Sequence, residues 1–281
     1  MVNIESNLRQ ASDALHKVSE SPRLDAEVLL SQALAQDRTH LRAWPDKKLT
    51  VEQQRNFETL LQRRLSGIPI AYLTGHREFW SREFEVSPDV LIPRPDTELL
   101  IECALKLIPN VPTFKLIDLG TGSGVIAITL AAERPLADVT ATDICPRALA
   151  IARRNAHKHG TDNIVFTENH WLDSLPADAS FNLVISNPPY IAEEDPHLAR
   201  GDVRFEPQRA LVAKRQGLSD IEIIVSSARK HLANPGHLLI EHGYDQQQPV
   251  QRIFKEQNYR EIKTHRDLSG QPRVTYGQWL P

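Results

Sequence analysis

The stretch "FKLIDLGTGSGVIAITLAAER", residues 114–134, restricts the fold more than any other part of the chain. A run of apolar, strand-forming residues ends in three alternating glycines and passes at once into a helical pattern. A buried strand followed by a tight turn and a helix is half of a βαβ unit, and parallel strands need such crossovers. The alternation continues. "ADVTATDI" (137–144) reads as a strand and "PRALAIARRNAHKHG" (146–160) as a helix opened by Pro146 and closed by Gly160. "NIVFTEN" (163–169), "FNLVIS" (181–186) and "GHLLIEHG" (236–243) read as further strands, with helices over 218–232 and 247–258. "REIKTHRDLSGQPRVTYGQWL" reads as a closing hairpin that adds an antiparallel edge strand. The expected class is α/β: a doubly wound, mostly parallel seven-stranded sheet with helices on both faces.

The beginning of the chain has a different grammar. Residues 1–67 show helical spacing and no strand-like alternation. Ser21 precedes Pro22 at a helix start, and Thr50 with Gln53 forms a capping-box pattern. Residues 68–95 are expected to hold a β-hairpin, in "REFWSREFEV", and an extended proline-rich linker. Asp96 or Thr97 then caps the helix "TELLIECALKLI", which opens the third region, 96–281. The adjacent arginines Arg63 and Arg64 read as solvated helix surface.

Composition narrows the function classes. The formal net charge is -3 over 281 residues, so no general attraction to nucleic acid or anionic membrane is expected. The opening residues are polar and mixed in charge, so no signal peptide is read there, and the longest apolar run is too short to span a bilayer. The two cysteines, Cys103 and Cys145, form neither a disulfide framework nor a zinc motif. A reducing cytoplasm is the expected setting.

Two motifs carry chemistry. In "DLGTGSG" the glycines Gly120, Gly122 and Gly124 let the backbone approach a ligand beside a helix N-terminus. Asp143 ends the next strand, about 20 residues on, where an acid can take both hydroxyls of a ribose. This is a nucleoside site. "GSGVIA" also fits a dinucleotide fingerprint, so a nicotinamide cofactor is an alternative. Against it, a carboxylate at Asp118 repels a pyrophosphate but attracts an α-amino group, which S-adenosylmethionine has. Thr121 and Ser123 lie in the same loop.

The second motif is Asn187-Pro188-Pro189-Tyr190, at the end of "FNLVIS". By average residue usage this tetrapeptide arises by chance in roughly one chain in a thousand of this length, so a simple turn is a poor account of it. The Asn187 side-chain carbonyl and the Pro188 backbone carbonyl can each accept one hydrogen of a planar –NH₂ group. That grip aims the nitrogen at a methyl donor, and Tyr190 supplies a flat wall. An amide nitrogen is a weak nucleophile, so positioning and carbonyl dipoles are the expected source of rate.

"LIPRPDTE", "DLGTGSG", "SNPPYI" and "FEPQRAL" together resemble the bacterial protein-(glutamine-N5) methyltransferases that modify peptide chain release factors. The resemblance covers essentially the whole chain. It implies the class I methyltransferase fold, and S-adenosylmethionine as donor with S-adenosylhomocysteine as product. It implies the glutamine of the Gly-Gly-Gln motif of class-I release factors as acceptor, and a helical N-terminal domain that helps dock that partner. Asp118, Gly120 to Gly124, Asp143 and Asn187 are expected to bind the donor, Trp171 in "NHWLDS" to flank the adenine, and Asn187 to Tyr190 to hold the glutamine. No membrane and no direct nucleic-acid partner are expected, and the chain is read as a monomer. The alternative is an adenine-N6 nucleic-acid methyltransferase, which shares the tetrapeptide. A non-catalytic release-factor binder and a dehydrogenase are more distant readings. Arg94, Asp96 and Glu98 are either linker and cap or part of the site mouth. Glu206 lies in a long loop, 191–217, expected to cover the substrate.

Overall fold

The computed structural model describes residues 3–109 and 111–280, and these divide into two compact units. One contains the chain up to His76 together with Pro196–Phe205; the other contains Arg77–Asp195 and Glu206 onward.

The first unit is helical: α1 (Ile4–Leu15), α2 (Pro22–Leu34), α3 (Arg38–Ala43), α4 (Val51–Leu65) and α5 (Ile70–Thr74). Side-chain caps start three of them. Asn3 accepts from the Ser6 N–H at 2.9 Å, Asp37 from the His40 N–H at 2.7 Å, and Thr50 and Gln53 close a complete capping box. Ser21 sits at the α2 N-cap but makes no side-chain cap bond; Pro22 alone sets that start. Leu8, Leu15, Leu29, Leu30 and Phe57 form the core. Each such side chain contributes about 2 kcal/mol on burial.

Two expectations need correction here. Helix α5 lies inside the segment read as hairpin and linker, so helical structure runs past residue 67. Arg64 is not solvated surface: it is only 5% exposed. Its Nε donates to Asp25 at 2.8 Å and its Nη1 to Asp202 at 2.7 Å. A guanidinium buried between two carboxylates is compensated, and removing either acid leaves it under-paired. This contact ties Pro196–Phe205 to the helices. Sequence spacing could not show it, because Asp202 lies far along the chain.

From Arg77 the second unit begins with the hairpin of β1 (His76–Phe79), whose first residue is counted with the helices, and β2 (Arg82–Glu85). Trp80 and Ser81 turn it with positive φ at both, which matches the twist of paired strands. Next come α6 (Thr97–Leu107), β3 (Lys115–Leu119), α7 (Val125–Glu133), β4 (Asp138–Asp143), α8 (Pro146–His159), β5 (Ile164–Glu168) and β6 (Phe181–Ser186). After three 3₁₀ turns follow a short turn α9 (Lys214–Gly217), α10 (Ser219–Ala228), β7 (Leu232–Glu241), α11 (Gln247–Glu256), β8 (Arg260–Arg266) and β9 (Pro272–Trp279).

The seven-stranded sheet has the order β5-β4-β3-β6-β7-β9-β8. Its first five strands are parallel. The terminal hairpin adds two strands rather than one edge strand: β9 pairs antiparallel with β7, and β8 forms the edge. Successive residues face opposite helical layers. Leu116, Leu183, Ile185 and Leu239 pack in one apolar cluster with α6 and α7; Ile117, Val184, Leu238 and Ile240 pack in another with α10 and α11. Burial on both faces explains why these strands read as continuous apolar runs. From β3 the chain winds outward through β4 and β5, then returns to β6 on the other side. The strand order reverses between β3 and β6, and ligands of such folds sit at the carboxyl ends of those strands.

Candidate active site

A cavity of about 350 Å³ opens at that reversal point. Its lining includes Gly120, Thr121, Gly122, Ser123, Asp143 and Trp171, and also Asn187 and Pro189. Residues from β3, β4, β5 and β6 therefore converge at one edge of the sheet.

The glycine loop is built from beneath. Gly120, Gly122 and Gly124 all have positive φ. A Cβ at Gly124 would lie 2.6 Å from the Ile128 Cδ1 and 3.2 Å from the Ala152 Cβ, so close packing of α7 on α8 requires glycine there. A Cβ at Gly120 would press on the Trp171 ring at 3.1 Å. Asp118 is fully buried and does not line the cavity. Its Oδ2 accepts the Thr121 hydroxyl at 2.6 Å and the Ala127 N–H at 3.3 Å. Burial raises this carboxyl to about 7, and the Thr121 bond opposes that shift. The Thr121 N–H donates to the Thr142 carbonyl at 2.8 Å. Asn155 of α8, 1% exposed, donates to the Ser123 carbonyl at 2.8 Å.

Asp143 clamps the loop from the neighbouring strand. Its Oδ2 accepts the Gly122 N–H at 2.9 Å and its Oδ1 the Cys145 N–H at 2.8 Å. Burial pushes its pKa up, against those two bonds. After β5, Asn169 accepts the Ser174 N–H on Oδ1 at 3.0 Å, while its Nδ2 is buried without a partner. Trp171, with a positive φ, likewise buries an unpartnered Nε1–H. Both residues line the cavity. Two buried donors without acceptors cost stability unless a ligand supplies those acceptors.

Of the tetrapeptide, Asn187 and Pro189 contribute to the cavity wall. The Ser186 hydroxyl donates to the Leu119 carbonyl at 2.7 Å and locks β6 to β3 just before Asn187. The Asn187 Nδ2 donates to the Thr97 hydroxyl at 3.1 Å. With Nδ2 committed, Oδ1 is the acceptor end left for a ligand. Pro189 lines the cavity, whereas Pro188 and Tyr190 are not among its lining residues. The partly buried Tyr190 ring packs on the α10 and α11 cluster, and burial pushes its phenol well above the usual range. The Tyr190 carbonyl accepts the Gln246 Nε2–H at 2.9 Å.

The PrmC N-terminal domain family matches residues 7–75, and the Methyltransferase small domain family matches residues 95–202. The Release factor glutamine methyltransferase of Salmonella typhimurium is 48% identical over 263 residues, 94% of this chain and 94% of its own length. That of Vibrio cholerae is 47% identical over 279 residues, 99% of this chain and 97% of its own. The chain belongs to the release factor glutamine methyltransferases. The fold recurs at much lower identity: a methyltransferase from Pyrococcus furiosus shares it with a TM-score of 0.53 at 14% identity, covering 80% of this chain and 100% of that one. Release factor glutamine methyltransferases are enzymes of the class I methyltransferase fold, which uses S-adenosylmethionine. Among the described residues no helix is long and apolar enough to cross a membrane.

Around the tetrapeptide the structure adds residues that motif reading passed over. Asp96 makes no cap bond and instead pairs with Arg273 at 2.9 Å; Thr97 spends its hydroxyl on Asn187. The expected helix cap is thus a site fixture. Glu98 accepts the Trp80 N–H at 3.2 Å. Glu206 is buried, accepting the Ile92 N–H at 3.0 Å and pairing with Arg94, which lines the cavity. Asn169 and Glu241 were also missed. Each stands at the carboxyl end of a parallel strand, the position that identified Asp143 and Asn187, and that rule applied to every strand would have found them.

Proposed function

We infer that this chain transfers the methyl group of S-adenosylmethionine to the side-chain amide nitrogen of a release-factor glutamine, the one in the Gly-Gly-Gln motif of class-I factors. The observation that carries the reading is the Asn187 amide, held by Thr97 with its acceptor end available at the wall of the cavity. The full-length kinship to enzymes of that name supports it.

The residues present fit the donor. The unpartnered Asn169 Nδ2–H and Trp171 Nε1–H offer donors to the ring nitrogens of an adenine. Asp143 receives the ribose hydroxyls on the lone pairs its backbone bonds leave free. Gly120 to Gly124 carry the amino-acid end, and Asp118 acts from beneath the loop by fixing Thr121 and Ala127. When bound, the sulfonium supplies an electrophilic methyl group. Asn187 Oδ1 and the Pro188 carbonyl accept the two amide hydrogens of the glutamine and keep its nitrogen in line with that methyl. Their dipoles favour the positive charge that develops as the N–C bond forms and the S–C bond breaks, so no strong base has to act first; S-adenosylhomocysteine would leave, and the surplus amide proton would pass to water. Tyr190, expected as a flat wall for the amide, packs instead on the α10 and α11 cluster and anchors the tetrapeptide from behind. The helical unit recognises the body of the release factor, and the loop around Glu206 covers the bound glutamine.

The test is to incubate the protein with methyl-labelled S-adenosylmethionine and release factor, alongside a factor whose Gly-Gly-Gln glutamine is replaced by Ala. Label on that glutamine alone, absent from the replaced factor, is expected. Label on other residues, or on added duplex DNA and not on the factor, would overturn the reading.

A further inference from the structure

Glu241, the last residue of β7, is fully buried, and both of its carboxylate oxygens lack a hydrogen-bond partner. Such a group is costly and unusual in a folded interior. The Thr97 hydroxyl and the Asn187 side-chain amide stand beside it, short of hydrogen-bond geometry. Two residues on, Gly243 passes its N–H to Gln246 at 2.9 Å, and Gln246 holds the Tyr190 carbonyl. The end of β7 therefore brackets the tetrapeptide, with a carboxylate at Asn187 and an amide at Tyr190.

We propose that Glu241 is a positioning residue that acts through Asn187: its carboxylate, with Thr97, draws in the Asn187 Nδ2 and leaves Oδ1 turned toward the substrate amide. The inference rests on the function proposed above. Its chemistry is a matter of donors and acceptors. An ionised carboxylate only accepts, so it favours the amide orientation that presents Nδ2 inward. A neutral carboxylic acid also donates, and it rewards the flipped amide, whose outward NH₂ cannot grip another NH₂. The negative charge behind the amide also polarises Oδ1 toward the charge that develops on the methylated nitrogen.

The surroundings set the titration. Burial raises Glu241 to about 7; Asp96 pushes it further up, while Thr97, Arg273 and Asn187 pull it down. Asp96 and Arg273 face it from the start of α6 and from β9 as an ion pair, and Tyr190 faces it from the tetrapeptide. Burial lowers the pKa of the next residue, His242, whose ring nitrogens are placed on the Gly243 carbonyl at 2.9 Å and the Thr275 hydroxyl at 2.8 Å. The charged form is the competent one, so turnover rises as pH rises through about 7.

The stability sign is opposite. The folded pKa lies above the ordinary glutamate value of 4.5, so the folded state holds the proton more tightly. This site's contribution to stability is complete below the unfolded pKa and is lost as pH rises through the folded one. Glu241→Gln removes that loss.

The experiment compares wild type with Glu241→Gln in three ways. With release factor and S-adenosylmethionine, kcat is expected to fall roughly 10- to 100-fold at saturation and to lose its acid limb. The Kd for S-adenosylmethionine stays within about twofold, since Glu241 does not line the cavity. In the free protein, Tm above neutral pH matches or exceeds wild type. Without substrate, the Asn187 side-chain amide resonances, assigned by their loss in Asn187→Ala, titrate near pH 7 in wild type and not in the variant. A kcat within twofold of wild type with an intact acid limb would overturn the proposal. So would a lowered Tm with proportionate loss of cofactor affinity, or Asn187 resonances indifferent to both pH and substitution. Failure of the wild type to methylate release factor would strike the proposed function alone, because the Asn187 titration is read without substrate.

Discussion

Asp118 and Glu241 invite comparison. Both are 0% exposed, both stand at the carboxyl side of parallel strands of one sheet, and burial raises each to about 7. Their surroundings differ. Asp118 spends one oxygen on a hydroxyl and a backbone N–H, and those bonds shape the glycine loop. Glu241 has no partner in hydrogen-bond geometry, and the Thr97 hydroxyl and the Asn187 amide stand beside it. The first half of the site is built in advance by short-range bonds, clamped also by Asp143 and Asn155. The second depends on which way one side chain faces. The difference separates two tasks: holding a donor with fixed geometry, and aiming an acceptor amide.

Breaking the aiming half should have the largest effect. Asn187→Ala is expected to lower kcat about 100- to 1000-fold, as loss of one preorganised transition-state partner does, with far-UV circular dichroism unchanged. Gly124→Ala attacks the holding half through the backbone. Its positive φ and the contact with Ile128 make a loss of about 2 kcal/mol the expected outcome, read as a shift in the urea midpoint. Asp143→Asn keeps the shape but weakens acceptance of ribose hydroxyls, and calorimetry should show Kd for S-adenosylmethionine raised about tenfold.

The smallest effect belongs to Asp118→Asn, which keeps an acceptor for Thr121 and Ala127. Asp118 rises from the ordinary 3.8 to about 7 in the folded state, so its stabilising contribution is present at low pH and fades as pH rises through about 7. The variant should flatten that part of the Tm-versus-pH curve. An unchanged slope would remove Asp118 from the comparison.

The holding half was the more legible in the sequence. Three alternating glycines and an acid one strand later are local facts, and local facts survive in a linear text. The strands of the sheet were legible too, since burial on both faces leaves apolar runs. The hairpin placement was not: alternation marks β8 and β9 as strands but cannot say that β9, not β8, lies against β7. The aiming half was legible only at Asn187. Thr97 read as a helix cap because Thr before a helix usually is one, and its partner stands 90 positions away. Arg64 read as surface because nothing near it in sequence announces Asp25 or Asp202. Glu241 was passed over because an acid after an apolar strand looks like a strand end meeting solvent; its one signal is its place at the carboxyl end of β7, and its full burial shows only in the fold.

The separation of the two tasks is tested most directly by measuring S-adenosylmethionine affinity and saturated kcat in parallel for Asp143→Asn and Asn187→Ala. A crossed result is predicted: the Asp143 variant binds the donor more weakly but retains most of its kcat at saturation, while the Asn187 variant binds it as wild type does and loses turnover. Loss of affinity and kcat in the same proportion in both variants would contradict this and mean that one unit of the site both holds the donor and aims the amide.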